Sequence, residues 1–283
     1  MKKQFILIIS GIFLIILLFA FGRTTSNKKD ITPSAKLSAP EKTFDIAKFI
    51  SLEKANLSPS QSVIISNLEN NITRGDIVAQ QIKANEALAT FWKDSVKSFE
   101  PYAFYTSSAS KLDNSEKNLT FAARIFLDNL RGEKDEGKLD WKTTEAIDLF
   151  ERALKINPDN DELKIGLGSC YIYGKGRSGN AEETMKGIQQ LLSVVRKDSN
   201  NMDAQMMLGV GGLVSGQFDK SIERLIKVVT IQPQNAEAVA YLADAYAGKG
   251  DKVNALKWYN ISKRLVNNPH YTEEVDARIK TLK

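Results

Sequence analysis

In the C-terminal half of the chain, apolar positions fall at helical spacing and come as paired stripes. Val239, Leu242, Ala243 and Tyr246 stand at i, i+3, i+4 and i+7, one face of one helix. Ala255, Tyr259 and Ser262 make a second stripe at i, i+4 and i+7. Between them Gly248-Lys249-Gly250-Asp251 supplies a helix stop, then an aspartate able to cap the next helix. Pro158 and Pro233 follow second stripes, where proline cannot continue a helix. Small residues recur where the two helices must approach: Gly168, Gly209 and Ala243 on the first, Ala146, Gly187, Ser221 and Ala255 on the second.

The pattern is periodic. Met202–Asn235 spans 34 residues, and Ala236–Pro269 echoes it: Leu208-Gly209 becomes Leu242-Ala243, Gly216 becomes Gly250, and Leu225 becomes Tyr259. A unit of this length is one helical hairpin, unable to bury its apolar face alone, so it must stack on its neighbours. Four units are expected, at about 118–160, 161–201, 202–235 and 236–269. In the last two, the paired small residues are 12 apart. The first is longer by 11 residues and the second by seven, which places insertions at Arg131–Trp141 and Gly174–Glu183, at the same turn of the hairpin. Equivalent turns of stacked repeats share an edge, so these insertions are expected to form a ridge, with Lys134, Asp135, Trp141, Lys175 and Arg177 as its candidate contact residues. Cheap tolerance of longer surface loops is the competing explanation. Residues 270–283, with Val275, Ile279 and Leu282 against a polar remainder, read as a capping helix.

Upstream, residues 43–112 read as helices without strand alternation. Phe44, Ile46, Phe49, Ile50 and Leu52 open the series, and Leu57–Ser60 breaks it. Val63, Ile64, Ile65, Leu68 and Ile72 mark a second helix. Thr73–Lys97 reads as a third, ended by Pro101, and Tyr102–Leu112 as a fourth. The region is either a cap on the stack or a set of degenerate repeats.

The N-terminus changes how the charge is read. The chain carries a net +5, but Lys2, Lys3, Arg23, Lys28 and Lys29 against Asp30 hold +4 of it, leaving nearly neutral helices and no nucleic-acid footprint. After a short tail, residues 1–4, Phe5–Gly22 contains no charge, and its length of roughly 27 Å as a helix approaches the ~30 Å hydrocarbon core. It reads as a transmembrane anchor. The alternative is a signal peptide cleaved after Ala20-Phe21-Gly22, although the run exceeds the usual ~7–15 apolar residues of such segments. Residues 23–42, rich in Ser, Thr, Lys and Pro, read as a flexible tether. Basic residues flank both sides of the run. The short Met-Lys-Lys start resembles an export signal and favours a body on the extracytoplasmic, periplasmic side.

Taken together, the residues resemble the tetratricopeptide repeat (TPR) family. Leu167-Gly168 with Tyr171 matches its first helix, and Ala146, Phe150, Ala153 and Pro158 match its second. Leu208-Gly209, Pro233, Tyr246 and Ala255 match in later units. Lys164, Gln205 and Val239 stand where the family carries an aromatic residue. The resemblance, running from about Asn118 to the C-terminus, implies an all-α, right-handed helical solenoid that binds protein and is not an enzyme. It also implies an inner groove lined by the first helices, with Ile165, Ser169, Ile172, Met206, Val210, Leu213, Ala240 and Asp244 as candidate groove residues. This groove lacks the Lys/Asn/Arg set with which some TPR proteins clamp a C-terminal carboxylate. An apolar groove suits an amphipathic helix or an extended segment, unless the chain's own N-terminal helices fill it.

Little material remains for catalysis. One cysteine, Cys170, and one histidine, His270, a hundred residues apart, leave no nucleophile–His pair or His-based metal site. Gly174–Gly179 matches G-x-G-x-x-G but follows a helix rather than a strand. No cofactor, metal, small-molecule substrate or nucleic acid is expected. The expected function is a membrane-anchored scaffold in the assembly or maintenance of a membrane or envelope complex. The alternative is a cytoplasm-facing adaptor for RNA-associated proteins.

Overall fold

Asparagine starts four helices of the repeat region. Its short side chain leaves the helix, and its carbonyl oxygen takes one of the N–H groups that a first turn leaves unpaired. Asn160 accepts from the backbone N–H groups of Glu162 and Leu163, Asn180 from Glu183, Asn201 from Ala204, and Asn235 from Ala238, all at 3.0–3.3 Å. Asp135 and Asp251 do the same for Lys138 and Asn254. Asn201→Ala is therefore expected to cost about 1 kcal/mol, read as a lower urea midpoint at unchanged slope.

The computed structural model describes residues 43–74 and 77–282. The tail 1–4, the apolar run 5–22 and the tether 23–42 lie outside the described residues. Among those described, every regular element is helical, and no helix is long and apolar enough to cross a membrane. Four helices come first: α1 (Ile46–Ala55), α2 (Pro59–Arg74), α3 (Val78–Thr90), which continues into a π-helical turn over Phe91–Val96, and α4 (Phe99–Asp113). Four hairpins follow: α5 (Glu116–Leu130) with α6 (Glu136–Ile156), α7 (Asp161–Tyr173) with α8 (Ala181–Lys197), α9 (Met202–Val214) with α10 (Phe218–Ile231), and α11 (Ala236–Lys249) with α12 (Lys252–Val266). Helix α13 (Pro269–Thr281) closes the series.

Each first helix packs on its own second helix and on the next first helix, and each second helix packs on the following hairpin. The core is accordingly shared across hairpin boundaries. Leu119, Phe126 and Phe150 of the first hairpin bury against Leu163 and Cys170 of the second. Leu191 and Val194 bury against Ala204 and Met207, and Leu225 and Val228 against Ala238 and Leu242. Ala255 and Tyr259 meet Val275 of α13, with Tyr271, Ile279 and Leu282 packed around it. This is the solenoid that the sequence period predicts: no hairpin completes its core alone. Helices α3 and α4 pair as a further hairpin. Phe91, Trp92, Leu88 and Tyr105 share a core with Ile50 and Ile65, and α4 docks on α5.

Three local readings change. Pro101 does not end a helix. It lies in the first turn of α4, where its missing N–H leaves no bond unmade. The helix expected over Thr73–Lys97 is instead α3 and its π-helical turn, with α2 running on to Arg74. The insertion Arg131–Trp141 is mostly not a loop: only 131–135 connects, because Asp135 caps a 21-residue α6 that absorbs the rest. The second insertion is a single 3-10 turn, Lys175–Ser178, before α8 starts at Ala181.

Candidate partner groove

The first helices α5, α7, α9 and α11 form a row, and the candidate groove residues lie on three of them. Ile165, Met206, Leu213 and Ala240 are half-buried. Ile172, Val210 and Ser169 are not open. The first two are buried in the core shared by the second and third hairpins, and the Ser169 hydroxyl donates to the Ile165 carbonyl within its own helix. Asp244 is already engaged: its carboxylate accepts from the Tyr259 hydroxyl at 2.6 Å and from Arg278 of α13 at 3.2 Å. Burial pushes the Tyr259 phenol up, and the adjacent carboxylate pushes it further. The cap helix, not a ligand, satisfies Asp244.

What covers the groove is a cluster that single-helix patterns do not reveal. Tyr173, at the end of α7, and Tyr241, on α11, share a hydrogen bond of 3.1 Å between their hydroxyls. Both rings pack on the core that contains Ile172 and Val210. The Arg131 guanidinium, just after α5, lies over both rings, 5.3 Å from Tyr173 and 5.6 Å from Tyr241. Its outer edge pairs with Glu237 of α11 at 2.6 Å. Side chains of the first, second and fourth hairpins thus meet across the third. Burial raises both phenols above their ordinary values, while the tyrosines and Glu237 outweigh burial at Arg131 and keep its cation favoured. Side chains of the chain's own repeats therefore pack beside the candidate groove residues, a role that the sequence assigns to a partner or to the N-terminal helices.

The two insertions do lie side by side. Arg177 donates to the carbonyls of Leu130 and Glu133 at 3.0 and 3.1 Å, tying the second connection to the end of α5. Lys175 pairs with Asp140 on α6. Of the other ridge candidates, Lys134 and Asp135 are exposed, with Asp135 serving as the α6 cap. Trp141 is engaged within the chain. It sits half-buried on α6, edge-on to Phe126 at 5.3 Å and 5.2 Å from Phe44. Lys138 and Lys142 lie beside it on α6 and pair with Glu100 of α4, so the insertion fastens the N-terminal helices to the stack. Arg177→Ala removes two charge-assisted bonds and is expected to cost about 2 kcal/mol, with faster amide exchange confined to 131–135 as the second readout.

Cys170 is fully buried, and desolvation pushes its thiol far above its ordinary range. Among the described residues, no group of three or more His, Cys, Asp or Glu is arranged to hold a metal ion. The Gly174–Gly179 stretch is a hairpin connection ending at Gly179 in the left-handed region, not a strand-to-helix phosphate loop.

Residues 207–268 match the tetratricopeptide repeat family. The BBSome complex member BBS4 of Bos taurus is 31% identical over 159 residues, covering 53% of this chain and 29% of that protein. Cellulose synthase operon protein C of Escherichia coli K12 is 37% identical over 62 residues, 22% of this chain and 5% of that protein. The chain therefore spans less than a third of the length of these curated relatives. Among solved structures, MamA is similar at 19% identity with a TM-score of 0.45, covering 66% of this chain and 92% of that one.

Proposed function

We propose that this protein is a membrane-tethered scaffold whose repeats hold a protein partner during assembly or maintenance of a membrane or envelope complex. One observation carries the proposal: a stack of tetratricopeptide hairpins, with half-buried apolar Met206, Leu213, Ile165 and Ala240 along its first-helix row, follows an uncharged apolar run, Phe5–Gly22. The run suits anchoring, and the row suits an apolar helix or extended segment of a partner. The body faces the extracytoplasmic side in this reading. A reporter fused after Lys283 tests the placement: activity only outside the cytoplasm supports it, whereas a cytoplasmic signal favours the RNA-associated adaptor. Crosslinking in the native membrane then tests the partner class, with envelope components expected and ribosomal proteins excluded.

A further inference from the structure

Tyr173, Tyr241 and Glu237 surround the Arg131 guanidinium as a receptor surrounds a ligand. Two ring faces and one carboxylate converge on a planar cation, at 5.3, 5.6 and 2.6 Å. That is the arrangement by which proteins recognise guanidinium groups: π-faces for the flat surface, a carboxylate for the N–H edge. The occupant is not deeply held. The Arg131 side chain is 48% exposed and that of Glu237 38%. Arg131 opens the short connection 131–135, which other residues fix independently: Arg177 holds the carbonyls of Leu130 and Glu133, and Lys142 holds the Glu133 carboxylate. The guanidinium can leave while the backbone that carries it stays in place.

We infer that Tyr173, Tyr241 and Glu237 form a guanidinium-binding subsite of the groove, filled in the free protein by Arg131 and taken by an arginine of the partner when it binds. This rests on the protein-binding reading above and adds the partner's chemistry: an arginine flanked by apolar residues. Exchanging one guanidinium for another leaves the cation–π and ion-pair terms nearly balanced. Affinity then comes from apolar contacts beside the subsite, while competition from Arg131 lowers the apparent affinity by the fraction of time the subsite is vacant. Arg131 is thus a built-in competitor that admits only partners able to supply both parts.

The test is chemical rescue in the 283-residue chain held in detergent micelles. Arg131→Ala should lower the melting temperature. Ethylguanidinium should restore part of the loss, neutral ethylurea should not, and neither should raise the wild-type value. A short acetylated peptide with one arginine between leucines should bind Arg131→Ala about tenfold more tightly than wild type, with Arg131→Lys between them. Adding Tyr241→Leu to the alanine variant should abolish the gain. Arg131→Lys, which keeps a cation in place, carries the affinity comparison with wild type if the alanine variant does not fold. Equal rescue by ethylurea, or equal peptide affinity across the variants, would overturn the subsite. A partner captured by the groove despite failed rescue would remove this subsite alone. Rescue without any captured partner would overturn the scaffold reading instead.

Discussion

Replacing Gly187 by alanine is expected to destabilise the repeat region by about 2–3 kcal/mol. A Cβ at this position would lie 2.8 Å from the carbonyl oxygen of Gly168 and 2.7 Å from the Tyr171 Cβ. The first obstacle is backbone, so it cannot rotate away, and α7 and α8 must separate. Alanine's better helix propensity returns only about 1 kcal/mol. Two controls sharpen the result. Gly209→Ala meets Leu225 side-chain atoms at 2.6 Å, which can partly adjust, so its cost should be smaller. Gly132→Ala meets nothing within 4 Å and should stay within about 0.5 kcal/mol of wild type. Urea unfolding followed by helical circular dichroism gives all three. A neutral Gly187→Ala would mean that the two helices do not touch as described.

The second large effect concerns a lysine inside the junction between α4 and α6. Lys142 is 4% exposed, 2.6 Å from Glu133 and 3.5 Å from Glu100, with its ammonium 4.7 Å above the Phe99 ring. Lys142→Ala leaves two poorly hydrated carboxylates with one cation fewer, and breaking such a pair from one side costs about 3–5 kcal/mol. Lys142→Met combined with Glu133→Gln removes both charges at similar volume and should cost less than the single change. The loss should depend on pH. At Glu133, burial pushes the carboxyl up, but the Lys142 hydrogen bond and the backbone N–H groups of Asp135 and Lys134 outweigh it and hold the pKa below its ordinary value. A depressed folded-state pKa adds stability above the unfolded-state value, and that stability drains away as pH falls through the folded-state value. The gap between wild type and Lys142→Ala should therefore be widest near neutrality and narrow through the acid range. A gap independent of pH would show that Glu133 is not the partner that matters.

The hairpin stack was legible because its cause is local. Stripes at i, i+3 and i+4 with a small residue in each helix dictate a hairpin, and the 34-residue echo dictates stacking. The groove was not legible residue by residue. Ile172 and Val210 are buried in a core on which Tyr173 and Tyr241 pack, and no periodic signal encodes the meeting of two tyrosines 68 residues apart. Arg131 was hidden for a related reason: it falls where the spacing shows an insertion, so it read as part of a loop. One available signal was missed. Asp135, followed by Leu139, Thr143 and Ala146 at helical spacing, marks a cap and a helix start inside the supposed loop. The π-helical turn at Phe91–Val96 had no counterpart in the pattern, since an extra residue in a helix shifts the stripe without announcing itself.

The most direct test of the account is site-specific photocrosslinking of the 283-residue chain in its native membrane, from Met206 and Leu213 on the first-helix row and from Val253 on α12, which is 79% exposed. The account predicts that the two row positions trap the same membrane or envelope protein through an arginine-containing segment, while Val253 traps none of it. A partner trapped from Val253 and absent from both row positions would contradict the groove as the binding surface, and with it the function proposed for this protein.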